Sequence, residues 1–476
     1  MTRMHGLIIA ALFSGVVACA TNPVTGDREL ALVSEGQEIQ IGRQVAEGAA
    51  QQLGLVEDQA LQAYVQRLGL QLAQASERPD LPWAFRVADD PTPNAFAAPG
   101  GFIFITRGML ALMRNEAELV SVLGHEIGHV TARHSVAMMS RAQLAQLGLG
   151  IGSIISPTVA QFGDLAAGGL QLLFLRYGRD AERQADELGY RYALQQGYDV
   201  REMTNVFTAL QQSSRLAGQS PVPSWLSTHP YPEERITRIE RALGSLSPVS
   251  EPRRIGEAEY LARIDGLAYG EDPRKGYFEA SRFLHPELAF RLDFPRDWRT
   301  QNFAQAVVAG SPGEDALIQL MLVPGSLQDA AENFFGQPGL TAGRRRSQTV
   351  NGLATISGAL QAQTEQASLA GVATFASLDG RTYRILGYSP AARFGTYEST
   401  FRAVGSSFAR LTDATALARQ PRRLAIVRVP RAMTVTEFNR LNPSAIPIEE
   451  LALINQMAGA TAVMPAGCQA KRVVGQ

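Results

Sequence analysis

The segment His125-Glu126-Ile127-Gly128-His129 limits what this chain can fold into more sharply than any other stretch. Two imidazoles four positions apart converge on one point when the backbone between them is helical, because i and i+4 then stand on one face, a turn apart. The flanks supply that helix. Asn115 is a capping residue, Glu116 and Glu118 suit the positive end, and no proline interrupts Leu119 to Met139. Neutral imidazole nitrogens suit zinc, and Glu126, one position on, can approach a water at the metal without itself ligating.

A catalytic zinc needs a third protein ligand and an open fourth position. Arg179 to Asp186 reads as the start of a second helix, on which Glu182 and Asp186 share a face. Glu182 is the expected ligand. Asp186 is expected to accept a hydrogen bond from a liganding imidazole and fix its tautomer. Such an acid pair by itself is also what a solvated helix face carries.

Two further motifs join these, Asn94-Ala95-Phe96-Ala97 and Ser227-Thr228-His229-Pro230. Together, in this order, the four resemble the M48 family of gluzincin metalloproteases. The start Cys19-Ala20-Thr21-Asn22-Pro23-Val24-Thr25-Gly26 is similar to its bacterial periplasmic lipoprotein branch. The resemblance covers residues 20–265. It implies one zinc ion held by His125, His129 and Glu182, with Glu126 as general base. It also implies that His229 faces the site, where the oxyanion needs a donor; given the lid-like segment that precedes it, an imidazole so placed could also occupy the open zinc position and hold the enzyme latent, and a helix-turn role for His229 is the alternative. The chain departs from the membrane-embedded branch, because its apolar segments are broken by polar residues and proline, and it lacks the helical-repeat tail of some periplasmic relatives.

Asn94 and Ala95 open a strand that could pair with an extended peptide through main-chain bonds, or form a strand-end turn. Arg235 is a candidate donor to a substrate carbonyl or carboxylate, or a surface partner of Glu233 or Glu234. His134 reads as a surface residue or a neighbour of the ligands rather than a ligand. His285 has no neighbour at ligand spacing and reads as structural.

Arg3, an apolar run from Leu7 to Val17 and Ala18-Cys19-Ala20 have the layout of a signal peptide ending in a lipobox, so Cys19 is the expected lipidation site. Ala20 after the cysteine points to the outer membrane of a bacterial envelope, facing the periplasm. Cys468 is then a lone thiol, and no disulfide framework is available.

Net charge of −1 and 19% charged residues exclude an electrostatic case for nucleic acid. Lysine occurs only at Lys275 and Lys471, which disfavours Schiff-base or phosphate-loop chemistry. With 476 residues, several units are expected. The expected class is α+β: a signal peptide over 1–19, a mostly helical zincin-type protease domain with a small sheet over 20–265, an α+β accessory domain over 277–412, and a small LysM-like module over 421–476. Leu144 to Leu175 reads as a lid-like helical hairpin, broken too often to span a membrane. The accessory segments Phe283-Leu284-His285-Pro286 and Phe294-Pro295-Arg296-Asp297-Trp298 resemble, loosely, domains that accompany some bacterial M48 lipoproteins.

The function so read is a zinc metalloendopeptidase of the bacterial envelope acting on misfolded or misassembled polypeptides. Outer-membrane assembly machinery and, through the C-terminal module, peptidoglycan are the candidate partners. The rival reading is an assembly chaperone or wall-binding scaffold with little proteolysis.

Overall fold

The computed structural model describes residues 19–26, 28–30, 32–140, 176–217, 225–230, 232–244, 253–363 and 367–475. The signal-peptide segment before Cys19 and the expected hairpin at 144–175 lie outside these residues, as does most of the linker expected over 245–254. Among the described residues no helix is long and apolar enough to cross a membrane.

Cys19–Thr21 (β1) pairs with Arg28–Leu30 (β2) at the start. Helix α1 (Glu35–Leu53) opens on a reciprocal cap between Ser34 and Gln37, and α2 (Gln59–Ala73) on Asp58, whose carboxylate accepts from the Ala60 and Leu61 amides. The helical spacing of Leu61, Tyr64, Val65, Leu68 and Leu72 places all five on the buried face of α2. This face covers a three-stranded sheet in the order β3 (Ala84–Ala88), β5 (Phe102–Thr106), β4 (Ala95–Ala98). Strands β3 and β5 are parallel; β4 is antiparallel to β5 and forms an edge.

A short helix, α3 (Arg107–Leu112), leads into α4 (Glu116–Thr131), whose every residue is buried. Asn115 caps α4 by accepting from the Glu118 amide at 2.9 Å. Helix α5 (Arg179–Gln195) packs directly on α4, and glycine makes the approach close enough. A Cβ on Gly189 would stand 2.6 Å from the His125 backbone nitrogen, and one on Gly128 would stand 2.9 Å from the Ala185 carbonyl oxygen. Helices α6 (Glu202–Ala217), α7 (Trp225–Thr228), α8 (Pro232–Gly244) and α9 (Glu257–Ile264) complete this part.

The region 277–412 is built around an eight-stranded antiparallel sheet. Its long strands are Leu353–Gln363, Ser368–Leu378 and Arg381–Pro390. A smaller sheet runs through Tyr277–Glu279, Arg282–His285 and Phe290–Asp293. The helices Leu327–Phe335 and Phe394–Ser407 bury Phe334, Phe335, Phe401 and Val404 in cores of this region's own. His285 accepts from the Leu288 amide, and burial pushes its imidazole down to about 4, as a structural residue requires.

The tail is a strand, two helices and a strand: Arg423–Arg428 pairs antiparallel with Gln469–Val474 around Val435–Leu441 and Ile448–Ile454. Leu424, Val429, Phe438 and Leu451 enter the same apolar cluster as Leu110, Leu119 and Phe207. The chain is thus α+β, with its first and last parts sharing a core.

Candidate metal centre

Helix α4 contributes His125, Glu126 and His129, α5 contributes Glu182 and Asp186, and the turn after α7 contributes His229; all six are almost fully buried. Ligand atoms of His125, His129, Glu182 and His229 lie within 4.8 Å of one another. His125 Nε2 stands 3.0 Å from His129 Nε2 and 3.1 Å from His229 Nδ1. Glu182 Oε1 stands 3.0 Å from His229 Nδ1 and 3.5 Å from His129 Nε2, while Glu182 Oε2 is 3.7 Å from His125 Nε2. A tetrahedral zinc with bonds of about 2.0 Å has corners about 3.3 Å apart. The donor set fits that ion.

Protonation strengthens the case. His125 Nδ1 lies 2.9 Å from Asp186 Oδ1, so its proton belongs there and Nε2 presents a lone pair to the centre. Asp186 is in turn gripped by Arg235, with Nε on Oδ2 at 2.8 Å and a terminal nitrogen on Oδ1 at 2.6 Å. Burial opposes ionisation of both Glu182 and Asp186. For Glu182 the neighbouring His229 and Arg235 charges win and hold the carboxyl well below its usual range; for Asp186, Arg235 lowers it. Burial keeps His129 neutral, as a ligand must be.

Glu126 lies beside this set. Its Oε1 accepts from Trp225 Nε1 at 3.1 Å, while Oε2 is buried with no partner among the described residues. An unpartnered buried carboxylate oxygen is costly unless something else uses it. An activated water at the metal is the chemistry that the donor set provides for.

Residues 59–243 match the family model described as Peptidase family M48. This segment is thus similar to the peptidase domain of that family. A Vibrio cholerae chain provisionally named a beta-barrel assembly-enhancing protease is 33% identical over 226 residues, 45% of this chain and 46% of its own length. The Escherichia coli K12 protein named beta-barrel assembly-enhancing protease is 28% identical over 275 residues, 55% of each chain. A mitochondrial metalloendopeptidase of Schizosaccharomyces pombe is 30% identical over 187 residues, 38% of this chain and 52% of that one. The matched part thus spans about half the length of these curated relatives.

Within the matched segment, the remaining expected residues fall in different places. Arg235 does not pair at the surface with Glu233 or Glu234. It is 1% exposed, with one terminal nitrogen 2.8 Å from Glu182 Oε2, so its guanidinium is directed at the two carboxylates rather than at solvent. Asn94 and Ala95, outside the metal group, are buried where the chain enters β4, and the Asn94 backbone N–H donates to Thr106 Oγ1 at 3.0 Å. They are tied to the metal group at one remove, since the Trp225 amide donates to the Pro93 carbonyl.

Two residues escape the motif reading. Trp225 stacks on His229 with ring centroids 4.7 Å apart and meets His125 edge-on. Tyr177 stacks on His129 at 3.9 Å and bonds Ser135 through its hydroxyl. The sequence signal for Trp225 was available: it stands one helical turn before His229.

Proposed function

We propose that this chain is a zinc-dependent metalloendopeptidase of the bacterial cell envelope that hydrolyses peptide bonds in misfolded or misassembled envelope proteins. The observation that carries it is the buried four-residue donor set of His125, His129, Glu182 and His229, whose ligand atoms lie within 4.8 Å of one another, with Glu126 beside it. Zinc bound there supplies Lewis-acid polarisation of a carbonyl and acidifies water. Glu126 takes a proton through its free Oε2 and returns it to the leaving amine. Asp186 and Arg235 hold His125 and Glu182 in place. The names of the bacterial relatives support substrates and partners in outer-membrane assembly.

His229 fills the fourth corner of the set, the position that a catalytic zinc keeps open. In our reading this is a latent arrangement. Movement of the α7 turn opens the site, and the same imidazole then faces the oxyanion. Asn94 and Ala95 on the β4 edge support the extended peptide. Cys19 is the lipid anchor, placing the enzyme at the outer membrane. The strand-helix-helix-strand tail supports a LysM-like module and hence contact with peptidoglycan. A decayed scaffold is the weaker reading, because decay has no reason to spare all four donors and Glu126.

The test is cleavage of unfolded model proteins with metal content measured. Glu126→Gln should keep one zinc per chain and lose on the order of 10²–10⁴-fold in rate. Equal cleavage by both proteins sinks the assignment. His229→Ala should change the rate in either direction; an unchanged rate removes both of its roles.

A further inference from the structure

His134 stands five residues beyond His129, which on a continuous helix would turn it about 140° away. The chain does not continue as a helix. Arg133 adopts a left-handed conformation at φ 56°, which costs an L-residue about 1–2 kcal/mol. That residue is pinned by its own side chain, with Nε on Glu38 Oε2 at 3.0 Å and a terminal nitrogen on the Val33 carbonyl at 3.0 Å. Glu38 is held in turn by Arg78, which also binds the Val130 carbonyl at the end of α4. The turn folds His134 back under His129. Their Nδ1 atoms are 2.9 Å apart, and His134 Nε2 is 3.0 Å from Gln184 Oε1 on α5.

Two imidazole nitrogens at that distance with no ion between them share one proton, since two lone pairs would repel and two N–H groups would clash; the Nε2 atoms of His125 and His129, as close, instead both face the position that the ion would take. An amide oxygen only accepts, so His134 Nε2 carries its proton and His134 Nδ1 a lone pair. His129 Nδ1 must then be the donor, and His129 Nε2 is left bare toward Glu182 and His125. We infer that His134 and Gln184 form a neutral proton-ordering relay that fixes the tautomer and ring plane of His129 for metal binding. They are positioning residues and touch neither metal nor substrate. Asp186 does the same for His125 with a full negative charge, so the two ligands are oriented by unlike means from one helix. The neutral arm keeps a fourth carboxylate out of a site that already buries Glu126, Glu182 and Asp186.

This inference rests on the zinc reading above, and the full-length protein tests the two separately. Zinc affinity is measured by competition with a chromogenic chelator. The His129 tautomer in the zinc-loaded protein is read from long-range ¹H–¹⁵N correlations. Wild type should bind one zinc and show His129 protonated at Nδ1. His134→Phe, which keeps the ring volume but no acceptor, should bind zinc about 10–100-fold more weakly. His134→Gln restores an acceptor and should recover most of that loss. Gln184→Leu, away from the turn, should weaken zinc in the same direction if His134→Phe fails to fold. An unchanged affinity in His134→Phe, or equal weakness in the Phe and Gln variants, overturns the relay. Wild type without stoichiometric zinc overturns the functional reading instead.

Discussion

Arg235 shows how much of a metal site is made by residues that never meet the metal. Its guanidinium lies between Asp186 and Glu182 and stacks over Phe207 and Trp225, at 4.4 and 4.7 Å from their ring centroids. Two buried carboxylates this close would repel and recapture protons, and one cation relieves both. Arg235→Met therefore leaves two uncompensated acids in the interior. Removing one partner of a buried charged group is worth about 3–5 kcal/mol, so urea unfolding of the metal-free variant should show a loss of that order. A loss below about 1 kcal/mol would mean that the acids are already protonated in the fold. The sequence could not separate this role from a surface ion pair, because charge type and spacing are the same in both. Burial decides between them, and burial is a property of what packs above α8.

At the scale of elements, the crossing of α4 and α5 is the decisive contact, and it was only half legible. Helical spacing predicts each acid and imidazole on its own face, and those faces do meet. What spacing does not reveal is how near the two axes come, which is set by Gly124, Gly128 and Gly189. Gly189→Ala should drive a methyl into the His125 backbone and push the helices apart. We expect about 1–3 kcal/mol of destabilisation by calorimetry and weaker zinc retention on dialysis, with full retention arguing that the helices can slide to accept the methyl. The region 277–412 was legible in class and less so in extent. Ala354–Ser357 and Ala373–Ala376 were readable as strands, whereas the strands run over Leu353–Gln363 and Ser368–Leu378. Their polar residues, such as the buried Thr355, the exposed Gln361 and the half-buried Ser377, broke the apolar pattern on which the reading depended.

For the whole molecule, the lesson lies in the tail, which the sequence reads as a small module after Pro421 and which packing joins to the core around α4. Lys471 was invisible to that reading because a lysine beside Arg472 looks like a solvated strand end. It is instead 1% exposed, and its Nζ donates at 2.7 Å to the carbonyls of Ala111 and Met113, at the open C-terminal end of α3. Nearby Glu118, seven residues before His125 on α4, accepts from the Arg114 amide and from Gln456 of the tail, each at 2.8 Å. Burial raises Glu118 from 4.5 to about 7, and burial with repulsion from Arg114 lowers Lys471 from 10.5 to about 7. Between pH 4.5 and 7 the folded state keeps the Glu118 proton that the unfolded chain releases, so stability falls as pH rises. Between pH 7 and 10.5 the folded state lacks the Lys471 proton that the unfolded chain holds, so stability rises again. Together they give a shallow minimum near neutrality, where the tail is held least tightly to the helix bearing Glu126. Urea midpoints at pH 5, 7 and 9 should trace that minimum, with Glu118→Gln flattening the acid limb and Lys471→Met the alkaline one. If both variants keep the wild-type pH dependence, the two groups titrate alike in the folded and unfolded chains, and the tail is docked by its apolar contacts alone.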